Sequence, residues 1–256
     1  MTLKKKYSKT EIDDLISRYN PPEGKAKCSP NFTKYLLTTH PVQFITTVGR
    51  VNGKLTPNIA PFATCLDTSY SPPYVTFSCA IKQHSISGQP KNNSRMNTYL
   101  NVLQNGLFVV NTPSKSLLPK LDIIAYPYRR TFLEDKIAKA GLTMLHPFVL
   151  PSRYGAYPPL IKECLAHLEC IVVDIHRPNG SDHYIVTGRV IGASYDESLG
   201  DNIDDNIDDF RNRLVERIFH HFGSSVNDRS ARFIGKVIPI SVHTITFELE
   251  NKPSDG

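Results

Sequence analysis

Residues 41–64 read PVQFITTVGRVNGKLTPNIAPFAT. The first eight are rich in β-branched and aromatic residues, the composition of a half-buried strand. Asn52-Gly53 follows, the dipeptide that most readily makes a two-residue hairpin turn. Residues 56–64 then return as a second strand. Pro61 sits inside that strand, and a proline has no N–H to donate to a central ladder. The segment is therefore expected at a sheet edge or bulge, with N–H groups pointing outward.

Strand signals continue along the chain. Residues 74–79, YVTFSC, enter through Ser71-Pro72-Pro73. Residues 107–111, LFVVN, follow a short helix that ends at Gly106. Residues 168–175 and 183–192 flank Arg177-Pro178-Asn179-Gly180, a second hairpin signal. Many short antiparallel strands joined by hairpins predict a mainly β fold, a closed barrel or a sandwich. No β-α-β alternation is visible, and neither GxGxxG nor a Walker A motif occurs.

Helical patterns are few. An opening helix is capped by Thr10, carries Ile12, Leu15 and Ile16 on one face, and stops at Asn20-Pro21-Pro22-Glu23-Gly24. Residues 131–140 have Thr131 and Glu134 in capping-box spacing and end at Gly141. Residues 207–222 place Ile207, Phe210, Leu214, Ile218 and Phe222 at helical spacing. Just before them DNIDDNIDD, residues 201–209, has the acidity of a calcium loop without its turn glycine or terminal Glu, and reads as a solvated loop.

Composition bounds the function. The chain has 256 residues, 40% hydrophobic and 21% charged, which is ordinary for a folded domain with a core. One domain over residues 1–256 is expected, with a barrel core at about 35–195 and an extension at about 196–256. No apolar run is long enough for a membrane span, and the basic N-terminus lacks the apolar stretch of a secretory signal. Five cysteines, Cys28, Cys65, Cys79, Cys164 and Cys170, fit no zinc spacing and suit a reduced, cytoplasmic protein. The net charge of +6 is scattered rather than striped, which favours a small anionic ligand over nucleic acid.

Two stretches can carry chemistry. In residues 58–64, outward amides with Thr and Asn side chains either bind the carbonyls and ring nitrogens of a planar heterocycle or form a structural bulge. Residues 92–98, NNSRMNT, put hydroxyls, amides and Arg95 before a helix. That is either an anion site on a helix N-terminus or a polar loop capped by Thr98.

The order PVQFITTV, NG, PNIAPFAT, SPPYVTFS, NTYLNVLQNGLFVVN resembles the flavin reductase-like FMN-binding family. Asp182-His183 with Gly188-Arg189-Val190 matches a further family pattern. So do Pro159, Ile161 and Glu163 with Glu169-Cys170. The resemblance spans about residues 41–194. It implies a six-stranded Greek-key split barrel, a homodimer, and FMN near the subunit interface. It implies NADH or NADPH as the hydride donor. An electron-transfer flavoprotein with a redox partner protein, or a non-catalytic flavin module, are the other readings.

On this resemblance Thr46, Thr47, Asn58, Ala60, Pro61, Phe62, Ala63 and Thr64 are expected at the flavin ring and ribityl chain. Ser94, Arg95, Thr98 and Asn101 are expected at the phosphate. His183 is expected at the open face of the ring, or else as a strand-end histidine bonded to its own hairpin. The chain departs from the family where K-D-T becomes Met96-Asn97-Thr98, and Arg95 is the candidate to restore the cation. No nucleic-acid or membrane partner is expected.

Overall fold

The computed structural model describes residues 8–18, 40–80, 96–125, 135–150, 156–197, 219–220, 236–241 and 244–248. The chain divides into two compact units, Met1–Thr38 and Thr39–Gly256. In the first, α1 spans Lys9–Arg18. Its cap is Ser8 rather than Thr10. Ser8 Oγ accepts the Glu11 N–H at 3.2 Å, and the Glu11 carboxylate accepts the Ser8 N–H at 2.7 Å. This reciprocal pair satisfies two donors at once, which a cap at Thr10 would not.

The second unit is mainly β. Its elements are β1 (His40–Pro41), β2 (Gln43–Val51), β3 (Lys54–Phe62), β4 (Leu66–Tyr70), β5 (Pro73–Ala80), α2 (Asn97–Asn105) and β6 (Leu107–Pro113). A 3-10 turn at Lys115–Lys120, α3 (Leu121–Ala125), α4 (Lys136–Lys139), β7 (Met144–Leu145) and β8 (Leu160–Ile161) follow. β9 (Cys164–His176) and β10 (His183–Tyr195) are the longest strands. β11 (Phe219–His220), β12 (Lys236–Ser241) and β13 (Thr244–Glu248) close the series.

Seven strands form one antiparallel sheet in the order β3-β2-β6-β9-β10-β5-β4. β4 is the short edge strand that sequence reading did not anticipate. Its side chains are nearly all exposed, so it carries no alternation to detect. The β2–β3 turn has φ of 50° at Asn52 and 78° at Gly53, the two positive values that the Asn-Gly signal required. Gly180, with φ of 77°, serves the β9–β10 turn in the same way.

Strand alternation divides the core between the two faces of the sheet. Ile45, Ala60, Phe62, Val75, Phe77, Phe108, Val110 and Val186 fill the barrel interior, with Tyr99 and Val102 of α2 plugged against them. Phe62, Phe77 and Phe108 meet edge to face at 5.0 and 5.2 Å. Burial of each such ring stabilises by roughly 1.5–3 kcal/mol. On the other face Phe44 and Ile59 pack with Leu121, Ile124, Ile137 and Ile161.

Two helix expectations need correction. α4 starts at Lys136 because Asp135 is extended and caps the helix, accepting the Ile137 and Ala138 amides at 3.0 and 3.1 Å. Thr131 and Glu134 lie outside the described residues, while Gly141 ends the segment as expected, with φ of 59°. The helix expected over 207–222 fails at Phe219–His220, which pair as β11 with β1. Pairing with a strand distant in sequence prevails there over the apolar spacing. Residues 201–209 lie outside the described residues, and so do residues 20–24 and Cys28.

Candidate functional site

β3 is the terminal strand of the sheet, so one of its edges has no strand partner among the described residues. This is the position its proline demanded. The strand's side chains, however, do not share one face. Thr47 pairs with Asn58, Ile45 with Ala60 and Gln43 with Phe62, all on the barrel side. Thr46 and Pro61 belong to the opposite face, and Ala63 packs with the second core. Thr46 and Thr47 therefore cannot both present side chains to one planar ligand, because adjacent strand residues point to opposite faces.

Thr46 is fully committed within the fold. Its hydroxyl donates to Pro159 O at 2.6 Å and accepts from Asn111 Nδ2 at 3.2 Å. Asn111 Oδ1 in turn accepts the Ile161 N–H at 2.9 Å. This buried network fastens the segment around Pro159 to the sheet. It engages the Thr46 hydroxyl within the fold.

Residues expected at the ring and residues expected at the phosphate are joined to one another by hydrogen bonds. Asn58 Nδ2 donates to Thr98 Oγ1 at 3.2 Å, and Asn101 Nδ2 donates to Thr47 Oγ1 at 3.1 Å. Gln104 Oε1 accepts the Arg50 N–H at 2.8 Å. Thr98, Asn101 and Gln104 recur every third residue, so they form one stripe of α2 that locks the helix onto the β2–β3 hairpin. Asn101 is 1% exposed and sits inside this contact. Ser94 and Arg95 lie outside the described residues.

One end of the barrel gathers what remains. Thr64 Oγ1 donates to Ser78 O at 3.2 Å and accepts the Ser78 N–H at 3.1 Å, which ties the end of β3 to the end of β5. Ala80 of β5 pairs with His183, and Cys79 with Tyr184. Tyr184 stacks on Tyr99 of α2, with ring centroids 4.1 Å apart and planes 16° apart. The free edge of β3, the start of α2 and the start of β10 thus meet at one place. Ser78, Tyr99 and Tyr184 were not expected there, since only pairing between distant strands brings them in.

Three polar features mark this end. α2 begins at Met96, whose side chain makes no capping hydrogen bond, and its first turn holds no acidic side chain, so the positive end of its dipole is not offset by a carboxylate of that turn. Asn58 Oδ1 is a buried acceptor with no partner among the described residues, next to Thr98. His183 is half-buried on the outer face of β10. Its N–H donates to Ser181 Oγ at 3.0 Å, and its Nδ1 meets Asp182 Oδ1 at 2.7 Å.

Among the described residues no cysteine suits a thiol-based centre. Cys65, Cys79, Cys164 and Cys170 are free and buried. Burial pushes the Cys65 and Cys79 thiols up to about 12. His167 is lowered by burial, bonded through Nε2 to Ile161 O at 2.9 Å, and belongs to the packing. No group of three or more His, Cys, Asp or Glu among the described residues is gathered to hold a metal ion. No helix among them is long and apolar enough to cross a membrane.

Comparison with known proteins agrees with this architecture. Component B of nitrilotriacetate monooxygenase from Bacillus cereus is 21% identical, with 70% of this chain and 86% of that one covered at a TM-score of 0.55. A Shewanella frigidimarina protein with a split-barrel domain covers 84% of this chain and 90% of its own, at 13% identity and a TM-score of 0.54. Flavoredoxin from Methanosarcina acetivorans covers 91% and 94%, at 16% identity and 0.53. These likenesses give the fold, a split β-barrel. No curated relative matches the chain in sequence. The model of the flavin reductase like domain matches residues 35–211, more than half of the chain. The chain belongs to the flavin reductase-like domain family.

Proposed function

We propose that the protein binds FMN at the barrel end described above and reduces it with NADH or NADPH. The observation that carries this reading is the meeting of β3, which has a free edge among the described residues, with the start of α2, whose first turn holds no acidic side chain. A flavin mononucleotide is a planar heterocycle with an anionic tail, and those two features suit its two ends. When bound, the flavin supplies the hydride-accepting ring.

The chain's own groups do the rest. Backbone amides and carbonyls along residues 58–64 take the ring edge, which explains why the side chains there need not share a face. The first turn of α2, with Ser94 and Arg95, takes the phosphate. The Tyr99–Tyr184 stack, on the core side, holds α2 against β10 behind the site. His183, held by Asp182, keeps Nε2 available to orient a nicotinamide. The protein is a homodimer on this reading. It works in a reducing, cytoplasmic setting, consistent with its free buried thiols.

The test is the absorption spectrum of purified protein, before and after anaerobic NADH or NADPH. Flavin bands that bleach with either nucleotide support the reading. A colourless protein that ignores added FMN overturns it. A flavin that stays oxidised with both nucleotides replaces it with an electron carrier fed by a partner protein.

A further inference from the structure

The outer face of the β9–β10 hairpin carries two histidine–aspartate pairs. His176 pairs across the ladder with Ile185, and Asp174 with Thr187. Tyr184 and Val186 turn into the barrel core, so His183 and Ile185 turn outward with His176. His183 is thus the diagonal neighbour of His176 on one exposed face. Diagonal positions of an antiparallel pair stand roughly 7–8 Å apart, within reach of long and aromatic side chains.

Both imidazoles are prepared in the same way. His176 Nδ1 lies 3.1 Å from Asp174 Oδ2, and His183 Nδ1 lies 2.7 Å from Asp182 Oδ1. A carboxylate at Nδ1 holds the proton there and leaves the Nε2 lone pair for another partner. Neither Nε2 has a hydrogen bond among the described residues. A carboxylate behind the ring is the arrangement that metal-ligating histidines use, since it fixes the tautomer and raises basicity.

We propose that His176 and His183 form a two-imidazole chelate for a divalent late transition metal ion such as zinc. Water completes the coordination, because no third protein ligand among the described residues is gathered there. Imidazole nitrogens select this class of cation over magnesium or calcium. The site shares His183 with the nicotinamide role assigned above, so an occupied chelate also removes that side chain from hydride transfer. Only this last consequence rests on the proposed function.

The experiment is calorimetric titration of tag-free, full-length protein with zinc chloride, without flavin or nicotinamide. One equivalent is expected to bind. H176A and H183A should each weaken binding about tenfold or more, and D174N should weaken it to a smaller degree. Binding that survives either histidine substitution overturns the chelate, and so does a parent protein that takes up no zinc. Flavin bleaching plays no part in this readout, so its outcome stands apart from that of the reductase assignment.

Discussion

The ring of Phe108 occupies the space that a side chain at residue 188 would need. A Cβ on Gly188 would stand 2.3 Å from Phe108 Cζ and 2.4 Å from Cε1. The glycine of the Gly188-Arg189-Val190 pattern is therefore a packing residue, and Phe108 is its reason.

Gly188→Ala should destabilise the fold by about 1–3 kcal/mol, the usual cost of overpacking a filled core. Phe108→Leu in the same chain should recover part of the loss, because the two sites share one space. Urea denaturation of both singles and the double reads this directly. Strictly additive losses would mean that the ring is not what excludes the methyl group.

Glu169 accepts three backbone amides in a row: Phe148 at 2.8 Å, Val149 at 2.8 Å and Leu150 at 2.9 Å. Glu169→Gln keeps the shape but replaces an acceptor oxygen with a donor that faces amides. A loss of about 2 kcal/mol or more is expected. Amide hydrogen exchange should quicken at residues 148–150 while β9 stays protected.

Lys136 is buried, with Nζ donating to Ile124 O at 3.0 Å. Burial pushes its amine down to about 7 from 10.5. Between those values the unfolded chain holds a proton at Lys136 that the folded chain lacks. Stability should therefore rise with pH across that window, by up to about 1.4 kcal/mol per pH unit. Below pH 7 the cost of burying the charge is present in full. Lys136→Met should flatten this rise, as read by thermal melts from pH 7 to 10.

Arg95→Ala should weaken FMN about tenfold or more and leave riboflavin nearly unchanged, because a charge-assisted bond to phosphate is typically worth roughly 1.5–3 kcal/mol. Fluorescence titration with both ligands separates them. Equal losses would remove Arg95 from the phosphate.

His183→Ala should slow anaerobic bleaching of bound FMN by NADH or NADPH about tenfold while FMN stays bound, since about 1.4 kcal/mol of lost orientation is already that factor. Stopped-flow absorbance gives the rate. An unchanged rate would leave His183 as a hairpin residue.

The sequence by itself determined the local pieces. Asn52-Gly53 fixed a turn because only those residues accept both positive φ values cheaply, and Pro61 sent its strand to an edge because it cannot donate. The β-rich order of segments fixed the fold class. Only the tertiary structure decided which side chains meet. Thr46 and Thr47 are neighbours in sequence, yet the strand's two-residue period sends one to Pro159 and the other to Asn101. Thr98 and Asn58 were placed at opposite ends of a ligand, and the packing of α2 on the β2–β3 hairpin joins them by a hydrogen bond. Tyr184 reaches Tyr99 because β10 pairs with β5 in one register, and a shift of one residue would turn that ring out of the barrel. Register and helix docking are set by the sum of many distant contacts, and no single stretch of sequence carries them.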